Sequence, residues 1–252
     1  MAENLKEFAR FTNDARVRPR LWHFSYPHLR NNLRIFREFA EILRTRDKTP
    51  PARLRLLDIG CGFKPFSSML DPAVFYVAGI DYSGEVSSAD ALAAGDALPF
   101  ASDSFDGVIL SEVIEHVRFP EKVLAEACRV TKIDGLVFVS TPFMFWEHGI
   151  PYDFQRPTRY FYRAAFAEHE ILKLVPSNTI LWSAITLMCL LVEATPVHRI
   201  LPLRYAIHCV LNSIGALTEA VIRGIAPHVL RNWEDRFLTA PVGYAMLVRV
   251  KK

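Results

Sequence analysis

Asp58 interrupts the apolar run of Leu54, Leu56, Leu57 and Ile59 near its end, Gly60, Cys61 and Gly62 follow it, and Asp81 ends a second apolar run, Phe75 to Ile80. A glycine turn placed directly after a strand lets a ligand approach the backbone, because no Cβ stands in the way. An acid at the end of the next strand, about twenty residues on, is placed to accept hydrogen bonds from ribose hydroxyls. The turn does not read GxGxxG, and Pro65, right after Lys64, lacks the amide needed to cradle a pyrophosphate. The binding chemistry indicated is therefore that of a nucleoside without phosphates. A second set of reactive side chains lies downstream: Ser111, Glu112, Glu115 and His116, then His148, Asp153 and Arg156. Imidazole is the side chain whose ordinary pKa suits proton transfer near neutral pH.

The elements that must position these groups alternate. Strands are expected at Leu54–Ile59, Phe75–Ile80, Ala89–Ala94, Asp106–Ser111, Leu136–Ser140 and Ile171–Val175, and Glu121–Val130 reads as a helix opened by Pro120. Alternating strands and helices predict a parallel, doubly wound sheet, whose strand ends carry the ligand. The C-terminal alternation of Val242, Tyr244, Met246, Val248 and Val250 predicts a last strand. Upstream, Asn31 or Asn32 is expected to cap a helix running to about Arg44, with Leu33, Phe36, Ala40 and Leu43 on one face. Residues 180–238 are far more than a hairpin needs. Ile180–Val192 carries no charge but is too short to span a bilayer, which takes ~20 residues. An amphipathic helix is expected from Leu201 to Ala226, broken near Gly215 and Gly224. The division expected is an N-terminal helical cap over 1–48, a cofactor-binding core over 49–179, a helical insertion over 180–238 and a final core strand over 239–252.

LLDIGCG, GIDYS, GDALPFASDSFDGVILSEVIEHV and GLVFVSTPF, in that order, resemble the class I S-adenosylmethionine-dependent methyltransferases, in their broad methyltransferase-11 branch. The resemblance implies an α/β, Rossmann-like fold with a seven-stranded sheet in the order 3-2-1-4-5-7-6. It also implies S-adenosylmethionine as cofactor and S-adenosylhomocysteine as product. Its cofactor-binding positions here are Asp58, Gly60, Cys61, Gly62, Asp81, Tyr82, Ser111 and Glu112, with Asp96 beside the adenine amino group and the Ala97 and Leu98 backbone nearby. GCGFKPF and HGIPYDFQRPT resemble methyltransferases found among polysaccharide and glycan biosynthesis enzymes. The acceptor expected is then a sugar, glycan or lipid-linked intermediate. His148 is the expected base, Asp153 orients it or the acceptor, and Arg156 binds an acidic group; the alternative is that Asp153 and Arg156 pair with each other. His116 is a further catalytic candidate or holds the turn after strand four. Glu112, Glu115 and His116 also resemble the ExxEH of methyltransferases that bind a divalent ion, with His148 across the crevice, although the same letters occur in relatives without metal.

The totals bound the alternatives. A chain of 252 residues suffices for one large α/β domain, and a net charge of +3 disfavours nucleic acid as partner. Residues 1–50 hold eleven Lys/Arg and six Asp/Glu. The Arg16, Arg18 and Arg20 strip is a solvated face, or else meets a phosphate-bearing substrate or an anionic membrane. Cysteines 61, 128, 189 and 209 lack CxxC spacing, which fits a reducing compartment. With no apolar leader at the start, the expectation is cytoplasmic, with a peripheral membrane contact or a homodimer through 180–238. The competing functions are a small-molecule natural-product methyltransferase and a non-catalytic cofactor-binding scaffold.

Overall fold

Strand β1 (Leu54–Ile59) sits at the centre of the sheet because its side chains are apolar in both directions. Leu57 and Ile59 point into one layer, Leu54 and Leu56 into the other. The computed structural model describes residues 14–46, 53–84, 87–225 and 241–251. The sheet is completed by β2 (Phe75–Asp81), β3 (Ala91–Leu92), β4 (Phe105–Ser111), β5 (Thr131–Pro142), β6 (Glu170–Pro176) and β7 (Gly243–Arg249), in the order 3-2-1-4-5-7-6. β1 pairs in parallel with β2 and β4, β2 with β3, and β4 with β5. β7 runs antiparallel between β5 and β6. This is the expected topology.

The helices α1 (Tyr26–Arg46), α2 (Pro120–Val130) and α3 (Arg159–Ala165) close the two faces. Phe36, Phe39 and Leu43 of α1 pack with Leu56, Ile109, Phe138 and Leu247, while Val123, Leu124 and Ala127 of α2 pack with Leu57, Val108 and Val139. α1 starts about five residues before the expected cap. Pro27 lies in its first turn, where the missing amide costs no helical hydrogen bond, and Asn32 is buried inside the helix instead of capping it. The strict strand–helix alternation fails after β1, where only a 3₁₀ turn, Pro65–Met69, precedes β2. α1 covers that region, with the Phe36 and Phe66 rings 4.3 Å apart.

β3 is two residues long, not six. Its side chains are exposed, and Asp90 replaces a longer ladder: its carboxylate accepts the Gly79 amide at 2.8 Å and pairs with the Lys64 ammonium. β5 begins at Thr131, directly after α2, with a register shift opposite Phe105 and Gly107, not at Leu136.

Beyond β6, α4 (Ile180–Glu193) and α5 (Leu201–Ile225) form a helical hairpin. α5 is unbroken at Gly215. A Cβ there would lie 2.7 Å from Trp182, so this glycine lets the two helices approach around the indole, whose N–H donates to Glu219 at 2.8 Å. The hairpin has unusual polarity. Ser183, Thr186, His208 and Asn212 are buried, while Leu187, Met188, Leu191, Val210, Ile214, Leu217 and Val221 are exposed. Leu201–Ile222 is long and apolar enough to cross a membrane, with mean hydropathy 1.3 and 17% of its window buried. The expected break at Gly224 falls at the described end of α5, and residues 226–240, which hold the end of the expected insertion, lie outside the described residues.

Candidate active site

β1 ends in a turn that requires glycine twice. Gly60 has φ +64°, and a Cβ there would meet Val113 at 2.6 Å; Gly62 has φ +50° and open space where its Cβ would be. The Gly62 amide donates to Asp81 at 2.9 Å, which ties the end of β2 to the turn. Asp58 is buried beneath the turn, and one of its oxygens has no hydrogen-bond partner among the described residues. Burial pushes its carboxyl up to about 7, against the opposing charges of Arg16 and Lys64. Cys61 is also buried, and burial with the nearby Asp58 and Asp81 pushes its thiol up to about 12, so it serves as a small spacer and not as a nucleophile. Tyr82 is exposed beside Asp81.

Asp96 and Ala97 lie exposed after β3, whereas Leu98 is buried. The Leu98 amide donates to Glu126 at 2.7 Å and its carbonyl accepts from Arg129. Its backbone is therefore committed to α2 and the Ala97 amide donates to the Ala94 carbonyl, while Asp96 and Ala97 remain exposed. These features fit a nucleoside bearing a cationic amino-acid tail. The glycine cradle leaves space, Asp81 is oriented by the turn, and Asp58 offers a buried oxygen that lacks a partner.

At the end of β4, Ser111 lies 3.0 Å from Ser140, and Glu112 adopts φ +56°. Its carboxylate accepts from Ser140 at 2.8 Å and from Asn32 at 3.3 Å, and lies 3.2 Å from the His28 ring. Burial alone would raise this carboxyl, but His28, Arg16 and Ser140 outweigh it and bring it down to about 2. His28 in turn lies 2.7 Å from the Ser177 hydroxyl. The sequence reading did not single out His28, and it took Asn32 only as a helix cap and Arg16 only as part of a basic strip. The available signal was a pair of polar residues four apart, His28 and Asn32, on what becomes the buried face of α1.

Next to this rim, the 3₁₀ turn Ile114–His116 meets the loop after β5. Gln155 donates to the carbonyls of Ile114 and Val117, and the Phe154 amide to the carbonyl of Glu115. Gly149, at φ +67°, lies against the His116 ring. These contacts bring His148 to His116, with ring centroids 4.8 Å apart, and both to Glu115. Glu115 Oε1 lies 3.6 Å from His116 Nε2 and 3.7 Å from His148 Nε2. Glu115 is fully buried, and burial raises its carboxyl pKa. Burial lowers the His148 pKa, but the adjacent Glu115 carboxylate, the Trp146 carbonyl and Asp153 raise it overall.

Asp153 accepts the His148 amide at 2.8 Å and lies 3.5 Å from its Nδ1, so it orients the loop that carries His148. Arg156 is turned inward. Its two terminal nitrogens fork onto Asp153 and also donate to the carbonyls of Gln155 and Trp146. The fork holds the Asp153 carboxyl well below the usual range. Arg156 thus staples the loop through the pairing with Asp153 that the sequence offered as the alternative to binding an acidic group. Glu112 faces His28, leaving Glu115, His116 and His148, among the described residues, as a set whose ligand atoms lie within 4.8 Å of one another.

Known proteins resemble this chain in sequence and in fold. The profile of a methyltransferase-domain family matches residues 28–183. A methyltransferase of Mycolicibacterium vanbaalenii, with no assigned substrate, is 39% identical over 105 residues, covering 35% of this chain and 39% of the relative. The demethylmenaquinone methyltransferase of Renibacterium salmoninarum is 32% identical over 132 residues, covering 49% of this chain and 50% of that protein. The matches thus span two fifths to half the length of these curated relatives. Among solved structures, a methyltransferase of Archaeoglobus fulgidus covers 95% of this chain and 99% of its own, at 14% identity and TM-score 0.52. The [4+2]-cyclase SpnF covers 86% and 80%, at 17% identity and TM-score 0.51. These two likenesses are of fold alone. The profile match, running from His28 through the glycine turn and both histidines of the cluster, shows that the chain belongs to the methyltransferase-domain family, in its class I, S-adenosylmethionine-dependent branch.

Proposed function

We propose that the protein methylates a hydroxyl of a sugar, glycan or lipid-linked intermediate. The observation that carries this reading is the gathering of Glu115, His116 and His148 at the carboxyl ends of β4 and β5, beside the glycine turn. S-adenosylmethionine supplies a methyl group already activated at its sulfonium. What remains for the protein is to hold the acceptor in line and to receive its proton, which a hydroxyl needs more than an amine does. His148, one of the two partly exposed imidazoles of the cluster, is placed to take that proton, with Glu115 stabilising the imidazolium. Asp81 and Gly62 would hold the ribose side of the cofactor, and Asp58 its cationic tail.

Two features support a glycan or lipid-linked acceptor. Trp146, Tyr152 and Phe154 are exposed on the loop that carries His148, and flat aromatic faces suit sugar rings and isoprenoid chains alike. The hairpin α4–α5 hides polar groups and exposes aliphatic ones, as a surface resting in lipid would. A peripheral contact with a membrane on its cytoplasmic side would bring a lipid-linked acceptor to the crevice. The test is release of S-adenosylhomocysteine from panels of polyprenyl-linked sugars in liposomes, free glycans and small phenols, with Asp81→Ala as the cofactor-site control. Turnover of the sugar-bearing acceptors, lost in Asp81→Ala, is the expected result. Turnover of small phenols alone would replace the reading with a natural-product methyltransferase. Cofactor binding without turnover on any panel would replace it with a scaffold.

A further inference from the structure

We propose that Arg118 forms the subsite for an anionic group of the acceptor, a phosphate or a carboxylate carried on the sugar ring that is methylated. This subsite rests on the sugar reading above and narrows the acceptor to a charged one. The Arg156 fork is taken up by Asp153. Arg118, by contrast, stands two residues after His116, is exposed, and makes no hydrogen bond or ion pair among the described residues. Its guanidinium carbon lies 5.3 Å from the centre of the Phe154 ring. Resting on a ring holds the guanidinium in place and leaves its N–H donors free. That planar fork matches the paired oxygens of a phosphate or a carboxylate.

The loop after β5 fixes this pair at the mouth of the crevice. Gln155, next to Phe154, donates to the carbonyl of Val117, next to Arg118, and the Phe154 amide donates to the Glu115 carbonyl at 2.8 Å. Hydrogen bonds to the main chain on both sides thus set the separation of Arg118 from Phe154. The Tyr152 carbonyl lies 2.5 Å from His116 Nδ1, and the Tyr152 and Phe154 rings stand 6.5 Å apart. Both rings are exposed. One surface therefore runs from the imidazoles across two aromatic faces to a guanidinium. A sugar ring on those faces, with its charged substituent on Arg118, turns its other hydroxyls toward His116 and His148.

The surroundings add a second cation. Helix α2 begins at this edge, and the Lys122 ammonium in its first turn lies 4.7 Å from the centre of the exposed Phe119 ring, with no ion pair among the described residues. Of the nearby acids, Glu115 is buried and Asp153 is bound to Arg156, while Glu121 and Glu147 are exposed. A neutral glycan would leave the Arg118 donors to water. A phosphate or carboxylate gives them a charged partner.

The test is a ligand-observed NMR titration of the full-length protein, saturated with S-adenosylhomocysteine, using glucose 1-phosphate, glucuronate and the neutral methyl glucoside as probes. At least one anionic sugar should bind more tightly than methyl glucoside, by about 10–100-fold. A preference for glucose 1-phosphate identifies a glycosyl phosphate as acceptor, and one for glucuronate a uronic acid. Arg118→Gln should erase the preference and Arg118→Lys retain part of it, with S-adenosylhomocysteine affinity unchanged in both. Arg53→Gln, which removes an arginine stacked on Tyr76 at the amino end of β1, should bind as wild type. Equal binding of charged and neutral sugars, or a preference that survives in Arg118→Gln, would overturn the subsite and leave the sugar reading standing. Binding of none of the three sugars, by a protein that holds S-adenosylhomocysteine, would overturn both.

Discussion

Replacing Asp58 with asparagine should strengthen the cofactor-free protein at alkaline pH while weakening its hold on the cofactor. The carboxyl is 3% exposed, and burial raises its pKa from 3.8 to about 7. A folded-state value above the unfolded one means that the native protein binds the extra proton. Stability from this group is therefore full below pH ~4 and is lost as pH rises through about 7. At ~1.4 kcal/mol per tenfold, a rise from 3.8 to about 7 corresponds to about 4 kcal/mol lost by pH 8. Asparagine removes the charge but leaves a buried amide, worth about 1–3 kcal/mol if unpaired. The expected net gain at pH 8 is about 1–3 kcal/mol, falling to zero or below at pH 5. Urea unfolding at the two pH values measures it, and calorimetry with S-adenosylhomocysteine should show at least a tenfold loss of affinity. A stability change independent of pH, or unchanged affinity, would refute the reasoning that Asp58 is held charged and unpartnered for a cationic ligand.

Three further outcomes are expected. Gly215→Val should destabilise by about 1–3 kcal/mol, because its side chain must enter the space of Trp182 and Ile185, and tryptophan fluorescence during unfolding reports it directly. Asp106→Asn should lower stability at pH 7, by an amount that shrinks as pH falls below 3.8. Burial opposes ionisation of Asp106, but the Arg55 amide, Lys132 and Arg46 lower its pKa overall, so its stabilisation exists above the unfolded value near 3.8 and vanishes as pH falls through the folded one. Leu217→Glu combined with Val221→Glu should abolish co-sedimentation with anionic liposomes while leaving cofactor affinity at the wild-type value, since both side chains are exposed on α5.

The elements legible from the sequence were those whose cause is local. The Leu54–Ile59 run, the two glycines and Asp81 follow from strand period and turn sterics, and the structure ties them together through one hydrogen bond from Gly62 to Asp81. β3 was overestimated because an Ala-rich run buries little, and the Asp90 side chain takes the place of a longer ladder. His28 was invisible because its partner, Glu112, is 84 positions away and no local pattern encodes that meeting. His116 and His148 were recognisable as candidates, but their grouping with Glu115 depends on Gln155 clamping the loop onto the turn after β4. For Arg156 the sequence left two readings open, and the ion pair with Asp153, three residues before it, is the one the geometry displays. Gly215 read as a breaker because its neighbour Trp182 belongs to another helix.

The buried polar face of the hairpin has a mechanical consequence. Asn212 donates to the carbonyls of Leu21 and His23, and His208 Nδ1 lies 3.0 Å from the carbonyl of Trp22. That grip falls immediately before α1, whose first turn carries the His28 that holds Glu112. The chain from hairpin to cofactor rim is thus a short strut with one end in α5 and the other at the end of β4. Tilting the hairpin against whatever it rests on pulls on residues 21–23 and, through them, on the rim. Detergents or lipids that load the outer side of α5 would then register as altered cofactor affinity, without touching a single residue of the crevice.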